Sequence, residues 1–135
     1  MKIRSITYFD HPGNPLEDEF ISRAVRFCGQ AREAFEQGGF EVQTVRFASP
    51  PFPTFLNPHK SDRLIQYAIE LETFLQECGY SYISLGPAVA DQLDSYPIIP
   101  DLIQSTSISF CSGLLTATGK GVSLPAVRAC GDIIY

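Results

Sequence analysis

Apolar residues recur along the chain with two alternating periods, which predict strands followed by helices. Residues 1–9 are rich in β-branched and aromatic side chains and predict a first strand. From Pro15 to Gln37 the apolar positions repeat every three or four residues, which predicts a helix with one buried face. Asn14 is its expected cap, Pro15 its expected first residue, and Gly38-Gly39 its expected end.

The same rhythm continues through the rest of the chain. Further strands are predicted over residues 40–48, 80–85 and 107–118, the third ending at Gly86-Pro87 and the fourth kinked at Gly113. Further helices are predicted from Ser61 or Asp62 to Cys78, as one turn near residues 88–93, over residues 97–104, and from Ser123 to Tyr135.

This order, βαβαβαβα, predicts a single α/β domain over residues 1–135 with a mostly parallel sheet. Each connection is long enough to hold a helix, as parallel neighbours require. The units form either an open doubly wound sheet or part, such as half, of an α/β barrel. The last helix closes on Ile133-Ile134-Tyr135 without Gly, Asn or Pro to stop it. Its apolar end favours the barrel, as the N-terminal part of a longer chain or one half of a homo-oligomer.

Composition and charge narrow the function classes. The chain has 135 residues and a formal net charge of −5, and its ten basic residues are scattered. This excludes a nucleic-acid partner and an anionic membrane surface, which call for clustered Lys and Arg. No signal peptide and no apolar run of about 18 residues is present, so a cytoplasmic protein is expected. Four cysteines without CxxC spacing are expected to be free thiols, and the sequence indicates no metal site and leaves any cofactor open.

Candidate catalytic residues follow the first strand. Ligands of parallel α/β sheets bind beyond the carboxyl ends of the strands, where the first strand supplies Asp10 and His11. These two side chains suit an acid/base pair, or an aspartate that orients a histidine. The same residues, followed by Pro12, Gly13 and Asn14, also suit ordinary turn and cap chemistry.

Candidate ligand-binding residues lie within or after the predicted strands. Arg4 and Arg46 each lie inside a strand, where an arginine either pairs within the sheet or is aimed at an anion. Ser49, Gly86 and Lys120 lie near the ends of the second, third and fourth strands. A small anionic metabolite is the expected ligand.

Residues 47–58 (FASPPFPTFLNP) form a stiff loop with four prolines and three phenylalanines. Its apolar content indicates that it lies against protein. Two interpretations remain open: a packed cap over one end of the sheet, and a wall of a ligand pocket or a contact with another chain.

Several segments resemble the uncharacterised family called domain of unknown function 711. They are MKIRSIT (1–7), GFEVQTVR (39–46), YISLGP (82–87), Ile99-Pro100, the strand at 110–118 and the helix at 126–134. The resemblance implies a fold similar to pyruvate formate-lyase-like glycyl radical enzymes, whose ten-stranded α/β barrel consists of two half-barrels. It implies no reaction. Cys111 resembles their barrel cysteine loosely, but the glycine loop of those enzymes has no counterpart here, so that role is not carried over.

Three functions are compatible with the sequence. The first is an enzyme, or enzyme fragment, acting on a small anionic metabolite at the carboxyl ends of the strands. The second is a non-catalytic ligand-binding module whose pocket is closed by another chain. The third is a structural module that self-associates through the loop at 47–58 and the apolar end at 133–135.

Overall fold

The computed structural model describes residues 1–134 and shows a mixed α/β fold with parallel strands. The strands are β1 (Lys2–Ile3), β2 (Ile6–Phe9), β3 (Glu41–Val42), β4 (Val45–Ala48), β5 (Tyr82–Ala88), β6 (Ser109–Gly113), β7 (Thr116–Ala117) and β8 (Gly121–Val122). The helices are α1 (Asp18–Gln37), α2 (Ser61–Glu77), α3 (Ile99–Ser105) and α4 (Leu124–Ile134), with 3₁₀ turns at Phe52–Thr54 and Leu93–Ser95. No helix among residues 1–134 has the length and apolar character needed to cross a membrane.

Four strands form the main sheet in the order β2-β4-β5-β6, and every pair is parallel. The short β1–β3 pair is also parallel, whereas β7 and β8 form an antiparallel hairpin. The four strands follow one another in chain order without a reversal. A doubly wound sheet reverses its strand order at a switch point, so the expected alternative of a doubly wound sheet is wrong for this part of the chain. The sheet is open, and residues 1–134 close no barrel.

One face of this sheet forms the core. Val45, Phe47, Ile83 and Leu85 project from it and are buried. They pack with the apolar faces of α1 and α2, whose buried members include Phe20, Ala24, Leu64, Ala68, Leu71 and Leu75. The face beneath these helices is named the helix face.

A buried carboxylate fixes where β6 begins. Glu72 on α2 accepts hydrogen bonds from the backbone N–H groups of Ser107 and Ile108, at 2.7 and 3.0 Å, and from the Ser109 hydroxyl at 2.6 Å. A buried charge needs such partners to offset its desolvation. The three bonds therefore lock the register of β6 against α2.

The predicted first and second strands are each interrupted. Both breaks lie side by side, at Arg4-Ser5 and at Gln43-Thr44. The Thr44 hydroxyl donates to the Arg4 carbonyl at 2.8 Å, so a side chain takes a place that the backbone ladder would otherwise fill. The expected continuous strands are thus two short parallel ladders in line.

The first helix begins later than its sequence signals indicate. Asn14 is not its cap and Pro15 is not its first residue, because α1 begins at Asp18 with Glu17 in the cap position. The Asn14 amide instead donates to the Phe55 carbonyl at 3.0 Å. The Asn14 side chain thus joins two loops and does not cap the helix.

The third strand does not end at Gly86-Pro87. It continues to Ala88 through an irregularity in which Leu85 and Gly86 face one residue of β6. Gly86 adopts φ +71°, and a Cβ atom there would lie 2.2 Å from the Pro50 carbonyl oxygen. Glycine therefore allows the strand to pass directly beneath the following loop.

The end of the chain also departs from expectation. The fourth strand stops at Gly113 instead of reaching residue 118, and the β7–β8 hairpin follows it. The Cβ position of Gly113 lies 2.7 Å from Cys130 Sγ and 2.8 Å from the Tyr96 ring, so α4 and Tyr96 close in on the strand there. Ser123 caps α4 as predicted, since its hydroxyl oxygen accepts the Ala126 N–H at 3.4 Å. Tyr135 lies outside the described residues.

The loop at 47–58 packs against the protein, in agreement with the first interpretation. Phe52 and Leu56 are fully or nearly fully buried. Phe55 is half-buried and makes edge contacts with His11 and Tyr67. The loop thus covers part of the carboxyl end of the sheet.

Replacing Gly86 by alanine is expected to destabilise the fold by roughly 2 to 5 kcal/mol, because positive φ and the Pro50 clash each contribute. Gly39→Ala is the matched control, since Gly39 has φ +80° and open space around its Cβ position. It is expected to cost about 1 kcal/mol. Urea unfolding measures both, and equal losses would contradict the close approach at Pro50.

Candidate functional site

Asp10, directly after β2, is held by three donors. The Tyr8 hydroxyl donates to Oδ2, Arg23 Nε of α1 donates to the same oxygen at 2.8 Å, and the backbone N–H of His11 donates to Oδ1 at 2.8 Å. Burial alone would raise the pKa of Asp10, but the hydrogen bonds from Arg23 and Tyr8 outweigh it and lower the pKa. Asp10 is therefore a charged anchor between β2 and α1.

His11 does not share a side-chain hydrogen bond with Asp10. Its Nδ1 accepts the N–H of Gly13 at 3.1 Å, and its ring meets the edge of Phe55 at a centroid distance of 4.9 Å. An accepting Nδ1 places the proton of the neutral imidazole on Nε2. His11 is exposed, so in this tautomer its Nε2–H is a free hydrogen-bond donor.

Asp10, Ser49 and Gly86 lie along the carboxyl edge of three neighbouring strands. The N–H of Asp10 donates to the Ala48 carbonyl, and the N–H of Ser49 donates to the Ser84 carbonyl. The Ser49 hydroxyl donates to the carbonyl of Pro50 at 2.9 Å, the residue that touches Gly86. Ser49 and Gly86 thus shape this edge through their backbone and close packing.

Arg4 lies away from that edge, and Lys120 is already in an ion pair. Arg4 is exposed and precedes β2, so the whole strand separates it from Asp10. Lys120 lies in the β7–β8 turn, where its Nζ is 2.8 Å from Asp91 Oδ1 in an exposed ion pair. Exposed pairs of this kind contribute little to stability.

Arg46 lies on the sheet face opposite the helix face. Its guanidinium carbon lies 5.0 Å from the centroid of the Tyr82 ring on β5. Tyr82 in turn stacks on Phe110 of β6, with centroids 4.2 Å apart and planes inclined by 9°. We name these three residues the Arg46 row.

The guanidinium of Arg46 has no anionic partner among residues 1–134. Its Nε is buried without a hydrogen-bond partner, a condition shared there only with Arg32 Nε on α1. No carboxylate of the described residues forms an ion pair with Arg46. Arg46 as a whole is half-buried, and an oxyanion is a strong partner for a guanidinium on an uncovered face.

The face that carries this row is not covered by the helices. We name it the bare face, and its nine residues are Thr7, Phe9, Arg46, Ala48, Tyr82, Ser84, Pro87, Phe110 and Ser112. None of the nine is buried, and Phe9 and Phe110 are 74% and 43% exposed. Parallel sheets normally have both faces covered. The bare face is therefore available to a ligand or to other protein.

A second cationic feature lies among the loops at the carboxyl end. A depression of about 180 Å³ is lined by Asn14, Leu56, Asn57, Lys60, Arg63 and Leu64. Lys60 and Arg63 form no ion pair with the described residues. It is a second place where a small anion can meet positive charge.

The four cysteines are free, and burial raises the pKa of three of them, Cys28, Cys78 and Cys111. Cys28 is buried, and Cys78, Cys111 and Cys130 are half-buried. Burial raises the pKa of Cys111 to about 12, so its thiol is protonated at neutral pH. Within residues 1–134, no three His, Cys, Asp or Glu side chains converge as metal ligands do.

The fold and this face define an α/β protein whose parallel strands are wound in one direction and covered on one side. The family model described as "Uncharacterised ACR (DUF711)" matches residues 1–135, so the chain belongs to the DUF711 family. This confirms the family resemblance, and the family description assigns no activity. No curated protein and no solved structure matches the chain. The similarity to glycyl radical enzyme barrels stays a prediction.

Sequence reasoning identified Arg46 and Asp10 but not the residues that surround them. Tyr82 and Phe110 were missed, although a signal for them exists in the alternation of buried and unburied residues along β4, β5 and β6. Arg23 lies on α1, thirteen residues from Asp10, and no local sequence pattern predicts their hydrogen bond.

The lowered pKa of Asp10 predicts a pH dependence of stability. Its ordinary value is about 3.9, so the stabilisation from Asp10 is complete above about pH 5 and disappears as pH falls through the lowered value. Wild type is expected to be more stable than Asp10→Asn at pH 7, with a difference that shrinks in acid. Urea unfolding at several pH values measures this difference. Asp132→Asn, at an exposed site, is the control, and a pH-independent difference for Asp10→Asn would contradict the anchor.

Proposed function

We propose that this protein binds a small anionic metabolite on the bare face of the sheet, near the carboxyl ends of the strands. One observation carries the proposal: the Arg46 guanidinium lies on the bare face without an anionic partner among residues 1–134. Arg46 is two residues from the end of β4. An arginine is suited to this task because its planar fork matches a carboxylate or a phosphate.

Two of the other cationic side chains already have an anionic partner. Lys120 is paired with Asp91, and Arg23 with Asp10. Arg4 lies at the opposite end of β2 from the carboxyl edge. The depression at Lys60 and Arg63 is the competing location, and the experiment below compares it with Arg46 directly.

The enzymatic form of the proposal assigns proton transfer to His11. His11 is exposed, as that role requires. To accept a proton at Nε2 its imidazole must adopt the other tautomer and give up the hydrogen bond from the Gly13 N–H. Asp10 is engaged by Arg23, so its part in this proposal is to fix the β2–α1 connection that presents His11. Ser49 and Gly86 form the floor of the same edge. The alternative is a non-catalytic binding module that uses the same face.

A second candidate function is self-association through the bare face. Phe9 and Phe110 on that face are exposed, and so are Leu114 and Leu115, which follow β6. Exposed apolar clusters often mark interfaces. In this form the bare face lines the interior of an α/β barrel that other strands complete, from a second copy or from a longer chain.

A cytoplasmic location, with its reducing conditions, fits the four free thiols.

Removing the charge of Arg46 is expected to remove anion binding. We expect sodium benzoate to shift the Nε–Hε resonance of Arg46 in a ¹H–¹⁵N NMR titration. The expected dissociation constant is on the order of millimolar, which is the affinity that a single ion pair supports. Arg46→Met is expected to weaken binding at least tenfold, as followed by the remaining shifted resonances. Arg46→Lys keeps the positive charge and is expected to retain part of the wild-type affinity for benzoate.

The matched control is the double variant Lys60→Ala/Arg63→Ala, which removes two cations from the loop depression. It is expected to bind benzoate as wild type does. Loss of binding in the double variant but not in Arg46→Met would move the site to the depression and refute the proposal.

Light scattering over a concentration series tests self-association separately, with Phe9→Ser/Phe110→Ser expected to remove any dimer.

A further inference from the structure

We infer that the anion bound at Arg46 is a planar monocarboxylate with an aromatic or unsaturated body, and not a phosphorylated compound or a dicarboxylate. This inference rests on the proposed function and names its ligand class. It follows from the charge count of the bare face and from the geometry of the two stacked rings.

The charge count favours a single negative charge. Arg46 is the single charged residue among the nine that form the bare face, and the others are aromatic, hydroxyl, alanine or proline residues. A phosphate carries up to two charges, and sites for it gather several cations or helix N-termini. A carboxylate needs one guanidinium, with which it forms two parallel hydrogen bonds.

The ring geometry favours a flat apolar body. Tyr82 and Phe110 lie on adjacent strands, which are about 4.8 Å apart, and their rings are 4.2 Å apart and nearly parallel. The stacking direction therefore runs across the sheet, and the ring edges point away from it. Ring edges are positive and attract the negative face of another π system. A planar ligand lying across the row meets two such edges.

The position of Arg46 completes the match. The guanidinium is at one end of the row, against Tyr82, and Phe110 is at the other end on the edge strand. A carboxylate on Arg46 thus directs the rest of the ligand over Tyr82 and towards Phe110. Ser84 and Ser112 lie on the same face and can bond a polar substituent of that body.

The experiment is an NMR titration of the whole chain with sodium benzoate, acetate, succinate and inorganic phosphate, followed at the Arg46 Nε–Hε resonance. Benzoate is expected to bind roughly 2- to 10-fold more tightly than each of the other three anions, which is what one or two edge contacts supply. Phe110→Leu keeps the apolar volume and is expected to reduce that preference at least twofold. Phe9→Leu, on the same face but on β2, is the matched control and is expected to leave it unchanged.

The outcomes separate the two proposals. If none of the four anions perturbs Arg46, the proposed function itself fails. If phosphate, succinate or acetate binds through Arg46 as tightly as benzoate, the site stands and the ligand class is wrong. A third outcome is that wild type prefers benzoate while Phe110→Leu shows the same preference as wild type and as Phe9→Leu. In that case the rings of the Arg46 row do not cause the preference, and the inference is overturned.

Discussion

Burial of the parallel sheet on one side only is the constraint on which the rest of this structure depends. The side chains of β4 and β5 alternate between a core beneath α1 and α2 and a face that no described helix covers. Parallel sheets are stable when both faces are covered. The bare face is consequently the surface of this sheet that is free to bind a ligand or other protein.

The register of the parallel strands places the residues of the candidate site next to one another on the bare face. Parallel pairing sets Arg46 beside Tyr82 and aligns β5 with β6, so a cation and two rings from three strands form one row. Glu72 fixes β6 in that register from the helix side. At the carboxyl edge, the bond from Arg23 to Asp10 and the contact of Gly86 with Pro50 hold two connections in place.

The sequence predicted what local periodicity and turn chemistry control. The α/β class, the parallel sheet and α2 follow from apolar spacing and from Gly79, and they agree with the structure. The errors arose where distant contacts override local signals: Asn14 binds Phe55 and does not cap α1, and Gly86 carries β5 past a residue pair that normally ends a strand. For the site, Arg46 was predictable as an unusual charge within a strand. Its row was not, since pairing between strands decides it.

The helices cover one face of the sheet and leave the Arg46 row open, and hydroxyl-radical footprinting can distinguish the two faces. Oxidation of each phenylalanine and tyrosine would be quantified by mass spectrometry at low protein concentration. We expect rapid modification of Phe9, Tyr82 and Phe110 and protection of Phe20 and Phe47, which are fully buried. Protection of Tyr82 and Phe110 to the level of Phe47 would show that both faces of the sheet are covered and would refute one-sided burial.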